Sequence, residues 1–159
     1  MGVSQIMRRD VEICEPDDNL ASAASRMWDG DFGCLPVVDR AGQVVGMVTD
    51  RDICMAALSR GQTLRDIPVS VAMAKKVLSC SPEATLIEAE ELMRSGQVRR
   101  LPVIDSDAFL VGIISLNDLV RLAENESGRK NLDVSAQEIT ATLAAICAPH
   151  QVAEARTTA

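Results

Sequence analysis

Aromatic residues are nearly missing: two Phe, one Trp and no Tyr make up 2% of the 159 residues. Stacking platforms for single-stranded bases need such rings, so that mode of nucleic-acid binding has little to build on. Basic charge is also short. Lys and Arg number 16 against 23 Asp and Glu, a net charge of −7. That is the wrong sign for a surface that gathers phosphate backbones. Histidine occurs once, at position 150, and no Ser or Cys stands beside a base in any motif, so a nucleophilic or acid–base enzyme is not expected. No apolar run reaches the length of a membrane span. MGVSQIMRRD lacks the apolar core of a secretory signal, and Ile6 stands where a myristoylation pattern needs Ser or Thr. The five cysteines (14, 34, 54, 80, 147) include no Cys-x-x-Cys pair. Cys14, Cys34 and Cys54 lie in apolar stretches and read as buried small residues. The expectation is a cytoplasmic protein in a reducing setting.

What is present is a core and a repeat. Hydrophobic residues make up 47% and charged residues 25%, enough for one compact domain or two small coupled ones. Slid against itself, the chain places Pro16 on Pro82, Leu20 on Leu86, Met27 on Met93, Gly30 on Gly96, Pro36 on Pro102, Gly46 on Gly112 and Asp52 on Asp118. Residues 3–58 align with 69–124 without a gap, and roughly a third of positions are identical. Neither copy alone would bury a secure core. Two copies sharing one would form a pseudo-two-fold unit with clefts where the halves meet.

The spacing predicts β-α-β-β-α twice, joined by residues 59–68. DVEIC and KVLSC read as first strands. EPDDNLASAASRMWDG and SPEATLIEAEELMRSG carry apolar residues at helical spacing, with Gly30 and Gly96 as stops. LPVVD and LPVID, then VVGMV and LVGII, read as strand pairs. TDRDICMAALSRG and SLNDLVRLAEN read as helices. Outside the repeat, Ser135-x-x-Glu138 is a capping box for a helix within 131–149, followed by a frayed tail at 150–159. The helix would pack on the domain or on a second subunit.

Thr49-x-x-Asp52 and Ser115-x-x-Asp118 recur at strand-to-helix junctions. A hydroxyl there caps the helix and the acid answers it, a pairing that contributes about 1 kcal/mol. The glycine three residues earlier, Gly46 or Gly112, adds a second reading, because Gly weakens a strand unless something approaches its backbone. Free N–H groups at a helix start attract anions, and an ionised Asp can accept both hydroxyls of a ribose. Together these features suit a nucleotide.

The stretch 3–124 resembles a tandem pair of CBS domains. The resemblance rests on LPVVD and LPVID, on GMVTDRD and GIISLND, and on the repeated element order. It implies an α/β (α+β) fold in which two β-α-β-β-α repeats pack as a pseudo-two-fold pair, with a C-terminal helix added. It implies two clefts for AMP, ADP, ATP or S-adenosylmethionine as regulatory ligands, with no obligatory cofactor. It also implies a homodimer that signals to another protein and does not catalyse. Asp52 and Asp118 would contact ribose, and Thr49 and Ser115 would lie near ribose or phosphate.

Arg99 and Arg100, just before LPVID, match positions where the family places phosphate ligands, and guanidinium forks suit that task. They could serve either cleft. The Ser115/Asp118 cleft, with Asn117, is favoured as their partner and as the better nucleotide site. The Thr49/Asp52 cleft has Arg51 nearby, partly offset by Asp50. Lys75, Lys76, Arg8 and Arg9 flank the first strands; they could extend phosphate contacts, and the favoured reading is a solvated edge. Cys147 and His150 fall short of the four ligands of a structural zinc, so no metal is expected. Trp28 is read as a core or interface residue. The competing reading is a dimeric adaptor whose clefts are empty.

Overall fold

The computed structural model describes residues 1–125 and 134–149. Each half has a helix, a β-hairpin and a second helix. In the first half these are α1 (Leu20–Asp29), β1 (Cys34–Val38), β2 (Val44–Thr49) and α2 (Asp50–Arg60). A four-residue helix, α3 (Val69–Ala72), precedes the second half: α4 (Leu86–Gly96), β3 (Arg100–Ile104), β4 (Leu110–Ser115) and α5 (Leu116–Asn125). The C-terminal helix α6 spans Ala136–Cys147. The expected helix at 131–149 is therefore present but shorter; 131–133, His150 and the tail lie outside the described residues.

Local chemistry sets these elements. The Asn19 side chain accepts from the Ser22 N–H at 2.9 Å and starts α1, which buries Leu20, Ala23 and Met27 on one stripe. Thr85 and Glu88 form the capping box of α4. Both hairpins are antiparallel, with β1 on β2 and β3 on β4 in matching register, Pro36 opposite Met47 and Pro102 opposite Ile113.

The helices end differently from the sequence expectation. Gly30 and Gly96 do not turn the chain; the next residues, Asp31 (φ 52°) and Gln97 (φ 51°), adopt the left-handed conformation. The glycines instead make room, since a Cβ on Gly96 would overlap Leu78 and one on Gly30 would overlap the Phe32 ring.

The first strands also differ. DVEIC and KVLSC each contribute a single parallel bridge, Cys14 with Val37 and Cys80 with Val103. Cys14 N–H donates to the Pro36 carbonyl at 3.1 Å, and Val38 N–H donates to the Cys14 carbonyl at 2.9 Å. The next rung on one side would need an N–H from Pro36, and on the other side one from Pro16. Proline has none. Pro102 and Pro82 truncate the second ladder in the same way.

The two halves exchange their leading segments. Val3 and Met7 are buried in the core of the second half with Leu86, Leu101 and Ile114. Ile67 and Val69 are buried in the core of the first half with Leu20, Leu35 and Val48. Backbone bonds fix the exchange: Val3 N–H to the Ala84 carbonyl at 2.8 Å, and Val69 N–H to the Asp18 carbonyl at 2.7 Å. This accounts for the strand glycines. A Cβ on Gly112 would lie 2.7 Å from the Met7 sulfur and 2.9 Å from the Arg8 carbonyl oxygen, and one on Gly46 would lie 2.7 Å from the Met73 sulfur. The body approaching each glycine is the other half's leading segment.

α6 packs on α4 and α5. Ile139, Thr142 and Ile146 are buried. Buried Glu90 pairs with Arg94 at 2.7 Å and accepts a hydrogen bond from the Thr142 hydroxyl.

Candidate functional site

Thr49 and Ser115 sit at the ends of β2 and β4, where each hairpin hands over to a helix, and each cap lines a cavity shared with the other half. Asp52 Oδ2 accepts from the Thr49 N–H at 2.9 Å and from the Thr49 hydroxyl at 2.7 Å, while the Asp52 N–H donates to Thr49 Oγ1 at 3.1 Å. Asp118 Oδ2 accepts from the Ser115 N–H at 2.8 Å and from the hydroxyl at 2.6 Å. In both boxes one carboxylate oxygen holds the cap. The second has no hydrogen-bond partner among the described residues, and a ligand hydroxyl can use it.

The expectation of free N–H groups for phosphate fails at α2. Asp50 N–H donates to the Gly33 carbonyl at 3.1 Å, Arg51 N–H to Asp50 Oδ1 at 2.7 Å, and Asp52 N–H to Thr49. All three are committed, because the β1 approach and the short acids of this turn reach them first. At α5, Leu116 N–H is likewise held by the Arg99 carbonyl at 2.9 Å. The start of α2 therefore offers no free N–H to a phosphate in the first cleft.

Two cavities carry the motifs. The first, about 990 Å³, holds Thr49, Arg51 and Asp52 from the first half together with Arg99, Arg100 and Lys76 from the second. Met47, Leu78 and Val98 give it apolar wall. The second, about 770 Å³, holds Ser115, Asn117 and Asp118 with Arg100. The expected grouping of both arginines with Ser115 and Asp118 therefore does not hold. Arg99 lines only the Thr49/Asp52 cavity, and Arg100 lines both. The halves pack so that the strand entrance of one faces the helix start of the other, which a linear reading cannot register.

Charge separates the cavities. Among the described residues, Arg51, Lys76, Arg99 and Arg100 face Asp50 and Asp52 in the first. In the second, the cations are Arg8, Arg100 and Arg121. They face four carboxylates: Asp10, Glu12, Asp31 and Asp118. Lys76 and Arg8, read as solvated edges, thus line cavities, whereas Arg9 donates to the Ser4 carbonyl at 3.3 Å. Arg121 escaped the sequence reading, although it stands one helical turn beyond Asp118. Gln97 escaped it as well; it lines the first cavity and binds α6.

Cys34 is buried as expected, 3.8 Å from Arg100 Nη1. Burial pushes its thiol pKa up, and the Arg100 charge opposes that rise. Cys54 is exposed, contrary to expectation, since its position on α2 opens onto a cavity and not into the core. Trp28 is 86% exposed and is no core residue. It borders a third cavity of about 510 Å³ with Met27, Phe32 and Ile53. Among the described residues, no group of three or more His, Cys, Asp or Glu could hold a metal ion, and no helix is long and apolar enough to cross a membrane.

The CBS domain model matches residues 3–59 and again 64–125. The chain belongs to the CBS domain family. Its relatives include the CBS domain-containing protein YhcV of Bacillus subtilis (strain 168), 37% identical over 139 residues, covering 86% of this chain and 97% of that one. The structure of CBSX2 in complex with AMP superposes with a TM-score of 0.69 at 25% identity, covering 78% of this chain and 96% of that one. The CBS domain pair of MJ0100, in complex with 5′-methylthioadenosine and S-adenosyl-L-methionine, gives a TM-score of 0.70 at 23% identity, covering 80% and 98%. The paired helix–hairpin–helix halves are thus the architecture of a CBS pair, a module that binds small adenosyl ligands in these neighbours.

Proposed function

We propose that this CBS pair is a regulatory sensor of an adenine nucleotide, with the Thr49/Asp52 cleft as its principal site. The observation that carries this reading is the convergence of Arg51, Lys76, Arg99 and Arg100 on a cavity that also holds the open oxygen of Asp52. Asp52 takes the ribose hydroxyls, the guanidinium forks take phosphate, and Met47, Leu78 and Val98 cover the base. Ser115, Asn117 and Asp118 form a second, less cationic site. AMP is the first ligand to try, on the strength of CBSX2; ADP, ATP and S-adenosylmethionine follow.

In this reading the protein catalyses nothing. It works in the cytoplasm as a homodimer and passes its state to a partner protein. Support for the dimer comes from the exposed apolar side chains Trp28, Met55 and Leu58 on α1 and α2. Ligand that binds the two arrangements of the halves unequally shifts their balance.

Thermal melting with millimolar AMP, ATP and S-adenosylmethionine is the test, since a ligand that binds only folded protein raises the Tm. AMP raises it in the native protein, and Asp52→Asn removes most of the rise while leaving the unliganded Tm within a few degrees. No shift with any of the three would favour the adaptor reading, in which the boxes are caps only.

A further inference from the structure

Arg100 borders all three cavities on the seam, including both clefts that carry the repeated motif. It stands at the position equivalent to Cys34 in the other repeat, so the second half supplies a cation where the first supplies a neutral thiol. Among the described residues the only hydrogen-bond partner of its side chain is the Cys34 sulfur, at 3.8 Å, and no carboxylate pairs with it. A half-buried guanidinium with so weak a partner is free to turn to either side.

The clefts differ in what remains without it. The first keeps Arg51, Lys76 and Arg99 against two carboxylates. The second keeps Arg8 and Arg121 against four. A phosphate in the first cleft draws Arg100 towards it and leaves the second acidic, where a further phosphate is repelled.

We propose that Arg100 couples the two clefts, so that one chain holds one phosphate-bearing ligand tightly and the Ser115/Asp118 cleft then selects a phosphate-free nucleoside. This rests on the nucleotide reading of the clefts and adds to it a rule of occupancy: the sites exclude each other for phosphate but not for ribose and base.

Calorimetric titration with AMP and adenosine tests the rule. The native protein takes one AMP per chain tightly, and the AMP-saturated protein still takes adenosine. Asp118→Asn abolishes the adenosine step and leaves the AMP step. In Asp52→Asn, which cripples the first cleft, AMP enters the second cleft at least tenfold more tightly than it does in AMP-saturated native protein. Combining Arg100→Gln with each background removes that difference, and Arg100→Lys, which keeps charge and fold, retains part of it. Two AMP per native chain, each as tight as in the single-cleft variants, would overturn the coupling, as would a tenfold difference that survives Arg100→Gln. No AMP uptake at all would instead sink the sensor reading, and the coupling with it.

Discussion

Gln97 and Ala145 tie the lip of the first cleft to the end of the C-terminal helix. The Gln97 side-chain amide donates to the Ala145 carbonyl at 2.9 Å and to the Ala148 carbonyl at 3.2 Å. Its own backbone is left-handed, at φ 51° and ψ 39°, and closes α4. A residue that lines a ligand cavity and also satisfies the last carbonyls of another helix links two surfaces that the sequence separates widely.

Gln97→Ala removes both bonds and keeps the unfavourable φ, so stability falls by about 1–2 kcal/mol. Gln97→Gly loses the same bonds but suits the backbone and falls by less. Amide exchange across α6 accelerates in both variants, and exchange that stays at the native rate would show that the α6 terminus is held elsewhere.

Glu90 is buried beneath α6, where Arg94 and Thr142 both reach it. Arg94→Met strips the charge partner and costs about 3 kcal/mol, the low end for a buried pair because Arg94 is partly exposed. Replacing Glu90 by Leu in the same chain restores most of that loss. Urea melts of the two single variants and the double variant give the coupling.

Gly112→Ala forces a methyl group against the Arg8 carbonyl, which the Arg8–Ile113 bridge holds in place. The overlap costs about 1–3 kcal/mol and loosens the exchanged N-terminal segment. Limited proteolysis then cuts near residues 8–10 sooner than in the native protein. Gly61→Ala, by contrast, meets no side chain within 4 Å and carries only the penalty of its φ of 61°.

The buried thiols set an alkaline limit. Burial pushes Cys14 and Cys80 from 9.0 to about 11. A pKa raised on folding means the unfolded chain gives up its protons first. The stabilisation is full below pH 9 and is lost as pH climbs from 9 towards 11. Chemical denaturation across that window shows a falling stability, and the variant with Ala at both positions flattens the slope. Near neutral pH an alkylating reagent labels Cys54 and Cys147, which are exposed, before either buried thiol.

Caps, hairpins and helices were legible because their causes lie three or four residues apart. Thr49 and Asp52, Ser115 and Asp118, and Ser135 and Glu138 all close the boxes that their spacing implies. The first strands were not legible, since the loss of their outer rungs depends on which carbonyl meets which proline across the sheet. Nor was the purpose of Gly46 and Gly112. The sequence marks a close approach, and only the packing shows that Met73 and Met7 make it.

The repeat by itself determined that there would be two similar halves, two capped helix starts and two clefts, because similarity at a fixed offset duplicates the Thr/Ser-x-x-Asp caps and the apolar spacing that build them. It did not determine which residues share a cleft. Val3 and Val69 are buried in opposite cores, and burial of apolar surface, not chain proximity, fixed the docking that follows. That docking sends Arg99 to Thr49 and Asp52, leaves Arg100 between the clefts, and makes the first cleft cationic and the second acidic. The charges were all in the sequence; their grouping is a property of the packed halves.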